Sequence, residues 1–85
     1  AAPFIYKTLK KVRSKFGTEN ATKVTEWVED QFKKHPSLEL EYFTIADEKT
    51  LETVKKKESN KKYRAFIAVF AGEIRLIDNI RLKND

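Results

Sequence analysis

His35, Glu39, Glu41, Asp47 and Glu48 are the side chains whose types suit acid–base or metal chemistry, and Arg75, Asp78 and Asn79 form a second polar group inside the run GEIRLIDNIRL. His35 is the only histidine and stands beside Pro36. A general base needs an orienting carboxylate and a nucleophile within reach. Neither is evident around His35, so a solvent-exposed imidazole at a helix end is expected. Glu39 and Glu41 have the spacing that puts two carboxylates on one strand face, as paired glycosidase acids might stand. They alternate with Leu38 and Leu40, however, as solvated residues do on any half-buried strand. Asp47 and Glu48 are too isolated to build a cation site. Two glycines cannot make a glycine-rich phosphate loop, and a chain with no cysteine has no disulfide, thiolate nucleophile or Cys-based zinc site. The residues themselves therefore point to no catalytic, cofactor-binding or metal-binding side chain in this chain.

The net charge of +5 invites a nucleic-acid reading. Yet 14 of the 18 basic residues are Lys, whereas base and phosphate recognition leans on Arg. A Lys-rich solvated surface is the simpler account. The alternatives are a small basic nucleic-acid-binding module using Lys55, Lys56, Lys57, Lys61 and Lys62, or a protein-binding module exposing Phe66, Phe70 and Ile77 on the sheet face away from the helices. The longest apolar run, 65–72, is far too short to cross a bilayer, so no membrane contact is expected. The absence of cysteine fits a reducing compartment, and a cytoplasmic location is expected.

The elements that must position these groups are legible from periodicity. In AAPFIYKTLKKVRSKFG, Ile5, Leu9, Val12 and Phe16 recur at helical spacing, Pro3 suits an early helical position, and Gly17 is the expected left-handed residue at the end. In NATKVTEWVEDQFKKHP, Val24, Trp27, Val28 and Phe32 form one stripe, with Asn20 or Thr18 as N-cap and Pro36 as the stop. Trp27 and Phe32 are expected to be buried against a sheet. LELEYFTI alternates as a strand, with Leu38, Leu40 and Tyr42 on one face, and Ile45 joining either face if a bulge intervenes. Asp47 can cap the turn that follows, with Leu51 and Val54 packing back. KKKESNKK is a charged loop. YRAFIAVFAGEIRLIDNI then gives two strands about a turn at Ala71 and Gly72, which sets Val69 opposite Ile74 and Arg75 near Ala68. On this register Arg75 can reach a carboxylate such as Glu41, and Asp78 and Asn79 sit at a strand exit, bonding backbone amides. The fold expected over 1–85 is one α+β domain of two layers, two N-terminal helices on a three-stranded antiparallel sheet.

LELEYFTIADEKTLETV followed by RAFIAVFAGEIRLIDNI resembles the C-terminal end of the pantoate–β-alanine ligase family. That family shows a strand ending in an aspartate-containing turn followed by TLE, then a hydrophobic strand leading to G-x-x-RLIDN. Gly72, Arg75, Leu76, Ile77, Asp78 and Asn79 stand here as in that signature. The resemblance implies part of an ATP- and Mg2+-dependent enzyme that condenses pantoate with β-alanine through a pantoyl-adenylate, giving the coenzyme A precursor pantothenate. It also implies that the partners are an upstream nucleotide-binding domain of the same enzyme and a second copy in a homodimer. The family's HxGH and M-S-S-R-N sequences do not occur in this chain, so no catalytic or nucleotide-binding residue carries over. The expected role is a lid domain, itself inactive and binding no ATP. Gly72, Arg75, Asp78 and Asn79 are then expected to serve local structure or a domain interface.

Overall fold

Helix α1 spans Ala2–Lys15 and α2 spans Ala21–Lys33, followed by strands β1 (Leu38–Asp47), β2 (Tyr63–Ala71) and β3 (Ile74–Arg81). These bounds come from a computed structural model that describes residues 2–54, 58 and 61–82. The strands form one antiparallel sheet in the order β1-β2-β3. The expected α+β arrangement of two helices on three strands is therefore what the chain adopts.

The stripe of α1 is buried as its spacing predicts: Ile5, Leu9, Val12 and Phe16 have almost no exposed surface. The helix does not close on a left-handed Gly17, because Gly72 is the only described glycine with positive φ. Gly17 instead continues the chain in a tight turn, its amide donating to the Ser14 carbonyl at 3.2 Å. A Cβ there would lie 3.3 Å from that same oxygen, so close approach is what favours glycine.

Asn20 is the N-cap of α2. Its side chain accepts the Lys23 amide at 2.8 Å and satisfies one of the orphan donors at the helix start. Val24, Val28 and Phe32 are buried, but Trp27 is only half-buried, with the Lys15 ammonium 5.0 Å from its ring. The expectation that Trp27 lies inside is thus corrected. It sits at the edge of the stripe and covers the core rather than filling it. His35 is corrected likewise. It is half-buried, with its ring 4.1 Å from that of Phe4, while Phe4 also meets Phe32 edge-on at 5.3 Å.

Helix α1 packs over β3 and α2 over β1. On the face they cover, β2 contributes Tyr63, Ala65, Ile67 and Val69, all buried, and Phe16 meets the Tyr63 ring edge-on at 5.4 Å. The Tyr63 hydroxyl accepts the Glu58 amide at 2.7 Å, which ties the connection between β1 and β2 to the core.

Two register details differ from the expectation. The β2–β3 turn is Gly72–Glu73, so Ala71 faces Ile74, Val69 faces Leu76 and Arg75 faces Phe70. Of the two turn residues only Gly72 has positive φ, +63°, the requirement at the first central position of a type II′ hairpin. In β1 the register shifts between Leu40 and Tyr42, leaving Glu41 as the extra residue of a bulge. Beyond it, Ile45 turns to the core while Tyr42 faces out at 39% exposure. The bulge, raised only as a possibility for Ile45, thus moves Tyr42 off the face on which simple alternation put it.

Candidate functional site

Arg64, Arg75, Asn79 and Arg81 stand on the sheet face opposite the helices, whereas Asp78, paired with Ile67, stands on the helix side. Phe66, Ala68 and Phe70 of β2 and Ile77 of β3 lie on the face opposite the helices, between two ionic clusters. At the hairpin end, Arg75 donates from Nε to Glu41 Oε1 at 2.6 Å and from Nη2 to Oε2 at 3.3 Å. Arg75 is on β3 and Glu41 on β1, so this bidentate pair spans the central strand. The hydrogen bond and charge of Glu41 raise the Arg75 pKa further above its ordinary value. The bulge is what places Glu41 for this reach. The expected Arg75–Glu41 partnership is therefore present, although Arg75 stands two residues from the register position expected for it.

At the other end, Glu48 receives Arg81 through Nη2 at 2.9 Å and Nε at 3.0 Å, with the Arg64 Nε at 3.8 Å. Arg64 and Arg81 face each other across β2 and β3, a like-charge pair that is unfavourable alone. Glu48 lies against both and offsets their repulsion. The hydrogen bond from Arg81, helped by the charges of Arg81, Arg64 and Lys62, outweighs desolvation and holds the Glu48 carboxyl below its ordinary range. Arg64 also donates through Nη1 to Asn79 Oδ1. Sequence reasoning did not find the Glu48–Arg64–Arg81 cluster, since residues 33 apart meet only once the register is known.

Asp78 does something else. Its Oδ1 accepts the amide of Asn79 at 2.8 Å, so the expected bond to backbone exists. Its place is within β3, which continues to Arg81, and not at a strand exit. Leu82 donates its amide to Tyr63. By alternation the even-numbered residues of β3 point their amides at β2, and the odd ones, Asn79 included, point to the open edge. Asp78 thus covers an edge amide. Arg75, Asp78 and Asn79 do not converge on one point and form no acid–base group.

Asp47, nearly buried at the end of β1, caps the next turn as expected: Oδ1 accepts the amides of Lys49 at 2.8 Å and Thr50 at 3.2 Å. These two amide bonds, then the Lys61 charge, lower its pKa, while desolvation opposes them. Lys61 lies 3.7 Å from Asp47 and 3.0 Å from Glu58, and its pKa is raised by Glu58 first. A basic nucleic-acid loop is not favoured by a lysine neutralised in this way; Lys55, Lys56 and Lys57 lie outside the described residues. Val54 packs back on the core, whereas Leu51 is exposed at a positive φ of 62°. Among the described residues no three His, Asp or Glu side chains are placed to hold a metal ion, and no helix is long and apolar enough to cross a membrane.

The family model for pantoate-β-alanine ligase matches residues 1–81. The chain belongs to that family. It is 57% identical over 83 residues to the pantothenate synthetase of Christiangramia forsetii and 56% identical over 82 residues to that of Flavobacterium psychrophilum, matches that cover 98% and 96% of this chain. A solved pantothenate synthetase from Thermus thermophilus superposes with a TM-score of 0.77 at 25% identity, over 93% of this chain and 28% of that one. The chain spans about 29% of the length of the curated relatives it matches. In family terms the Gly72–Asn79 signature is a hairpin: a turn glycine, a cross-sheet arginine, an edge-covering aspartate and an asparagine that accepts from Arg64.

Proposed function

We propose that this chain is the C-terminal lid domain of a cytoplasmic, homodimeric pantothenate synthetase. The complete enzyme joins pantoate to β-alanine, consuming ATP with Mg2+ and passing through a pantoyl-adenylate. The observation that carries this reading is a family match running through 1–81 in a chain that covers under a third of its relatives. The chemistry of the residues supports it. Gly72, Arg75, Asp78 and Asn79 build the hairpin, and the described carboxylates at 41, 47 and 48 are engaged in structural bonds. The adenylating groups, the nucleotide site and the cation site belong to the upstream nucleotide-binding domain. The domain's own contribution is to close over the site and exclude water from the acyl-adenylate, a mixed anhydride that hydrolyses readily.

The test uses the complete gene. The full-length protein should form pantothenate and AMP in a ratio of one, and the 85-residue domain alone should show no ATP binding by calorimetry. Micromolar ATP binding by the isolated domain, or a full-length protein that makes no pantothenate from pantoate, β-alanine and ATP, overturns the proposal.

A further inference from the structure

The sheet has two faces and the helices cover only one. On the uncovered face Ile77 is 59% exposed and Tyr42 39%, with Phe66 and Phe70 half-buried beside them. Ala68, at the centre, has no exposed surface although no helix overlies it, so its larger neighbours already close over it. Around this apolar centre the arginines are paired within the domain, Arg75 with Glu41 at one end and Arg64 and Arg81 sharing Glu48 at the other, while exposed Glu39, opposite Phe70, stands at the rim. A face with an apolar middle and charges held at its rim can be dried at the centre while the rim charges stay in water or meet a partner.

Its size indicates what covers it. Three strands about 4.8 Å apart and roughly eight residues long at about 3.4 Å each present about 400 Å² a side, hence about 800 Å² in a two-sided contact. Stable complexes of separate chains need about 1,200–2,000 Å², whereas contacts between domains of one polypeptide run about 600–1,500 Å² and are more polar. A tethered partner needs less surface because linkage supplies a high local concentration. We infer that the outer face of the sheet, centred on Ile77 and Tyr42, docks against the remaining part of the same ligase polypeptide, not against a second copy. This rests on the proposed lid role and specifies which side of the lid meets the body of the enzyme.

Ile74 and Ile77 allow a clean comparison. They lie on one strand, point to opposite faces and are 65% and 59% exposed. This chain has no cysteine of its own, and mass spectrometry reads each introduced thiol on its own peptide, so Ile77→Cys and Ile74→Cys are introduced singly into the complete ligase. Alkylation by iodoacetamide is then followed at each site by mass spectrometry, with rates normalised to the same sites in guanidinium. Docking of the outer face should slow alkylation at 77 at least tenfold relative to 74, independently of protein concentration. Rates within threefold of each other, equal protection at both sites, or protection that disappears on dilution each overturn the inference, the last in favour of a second copy. Pantothenate formation by the unsubstituted enzyme is measured separately, so loss of the proposed function is distinguishable from an undocked face.

Discussion

Asp78→Ala separates two effects that a single stability measurement would merge. The carboxylate accepts one amide, that of Asn79, on the open edge of β3 where water can replace it. An intramolecular hydrogen bond contributes about 0.5–1.5 kcal/mol net, and replacement by water places this one at the low end. The stability loss should stay under about 1 kcal/mol, a melting shift of at most about 4–8 °C for a domain this size. The larger effect should be on self-association. An antiparallel pairing of two β3 edges centred on Ile77 sets Arg75 opposite Asn79 and Glu73 opposite Arg81, an arrangement free of like-charge contacts. In that pairing each Asn79 amide must bond the partner's backbone, and Asp78 occupies it. Freeing two amides per dimer, at about 0.5–1.5 kcal/mol each, should tighten dimerisation by roughly 5- to 150-fold. Sedimentation equilibrium of the 85-residue domain and of its Asp78→Ala and Asp78→Asn variants reads this directly. Asn retains a side-chain acceptor and should leave the association constant near that of the parent. A dimer constant unchanged within twofold in Asp78→Ala, with the domain folded, would refute the role of Asp78 as an edge guard.

Phe16→Ala removes a fully buried ring that meets Tyr63 edge-on and should cost about 3–5 kcal/mol, whereas Trp27→Ala, at a half-buried position, should cost distinctly less by urea titration. Tyr63→Phe should cost about 0.5–1.5 kcal/mol and accelerate exchange of the Glu58 amide while leaving the β2 amides protected. Asp47 and Glu48 have folded pKa values below their ordinary 3.8 and 4.5, so the stability they add is present above those values and is lost as pH falls below about 4.5 toward the lowered ones. Melting temperature against pH should therefore drop in that window, and less steeply in an Asp47→Asn/Glu48→Gln variant; parallel curves would count against the assignment. Arg75→Lys keeps the charge but loses the two-pronged bond to Glu41, so it should behave more like Arg75→Ala than like the parent in amide exchange along β1 near the bulge.

The sequence carried the helices because their stripes are continuous and their signals local: Asn20 caps three residues ahead, and Pro36 stops the chain. It carried the strands less completely. Alternation assumes two residues per repeat, and the single extra residue at Glu41 reverses the sides of everything after it, which is why Tyr42 was expected inside. The hairpin slipped by one residue in the turn because Ala-Gly and Gly-Glu both satisfy a glycine with positive φ. The Arg75–Glu41 pair survived that slip, since two positions along a strand are within the reach of an arginine. Trp27 and His35 failed differently: a helical stripe gives direction but not how far the facing sheet extends. The cluster at Glu48 needed a pairing of chain positions 33 apart, and no local pattern encodes that.

The packing of α1 on β3 joins the first element of the domain to its last. During synthesis α1 leaves the ribosome about 60 residues before β3, which at about 5–20 residues per second is a wait of roughly 3–12 s. Throughout that interval Ile5, Leu9 and Val12 lack the strand that α1 packs over, and α2 can shelter only part of their stripe. A chain cut short before Ile74 would make that state permanent. Quality-control proteases and holding chaperones should therefore distinguish truncated from finished copies by the bare face of the first helix.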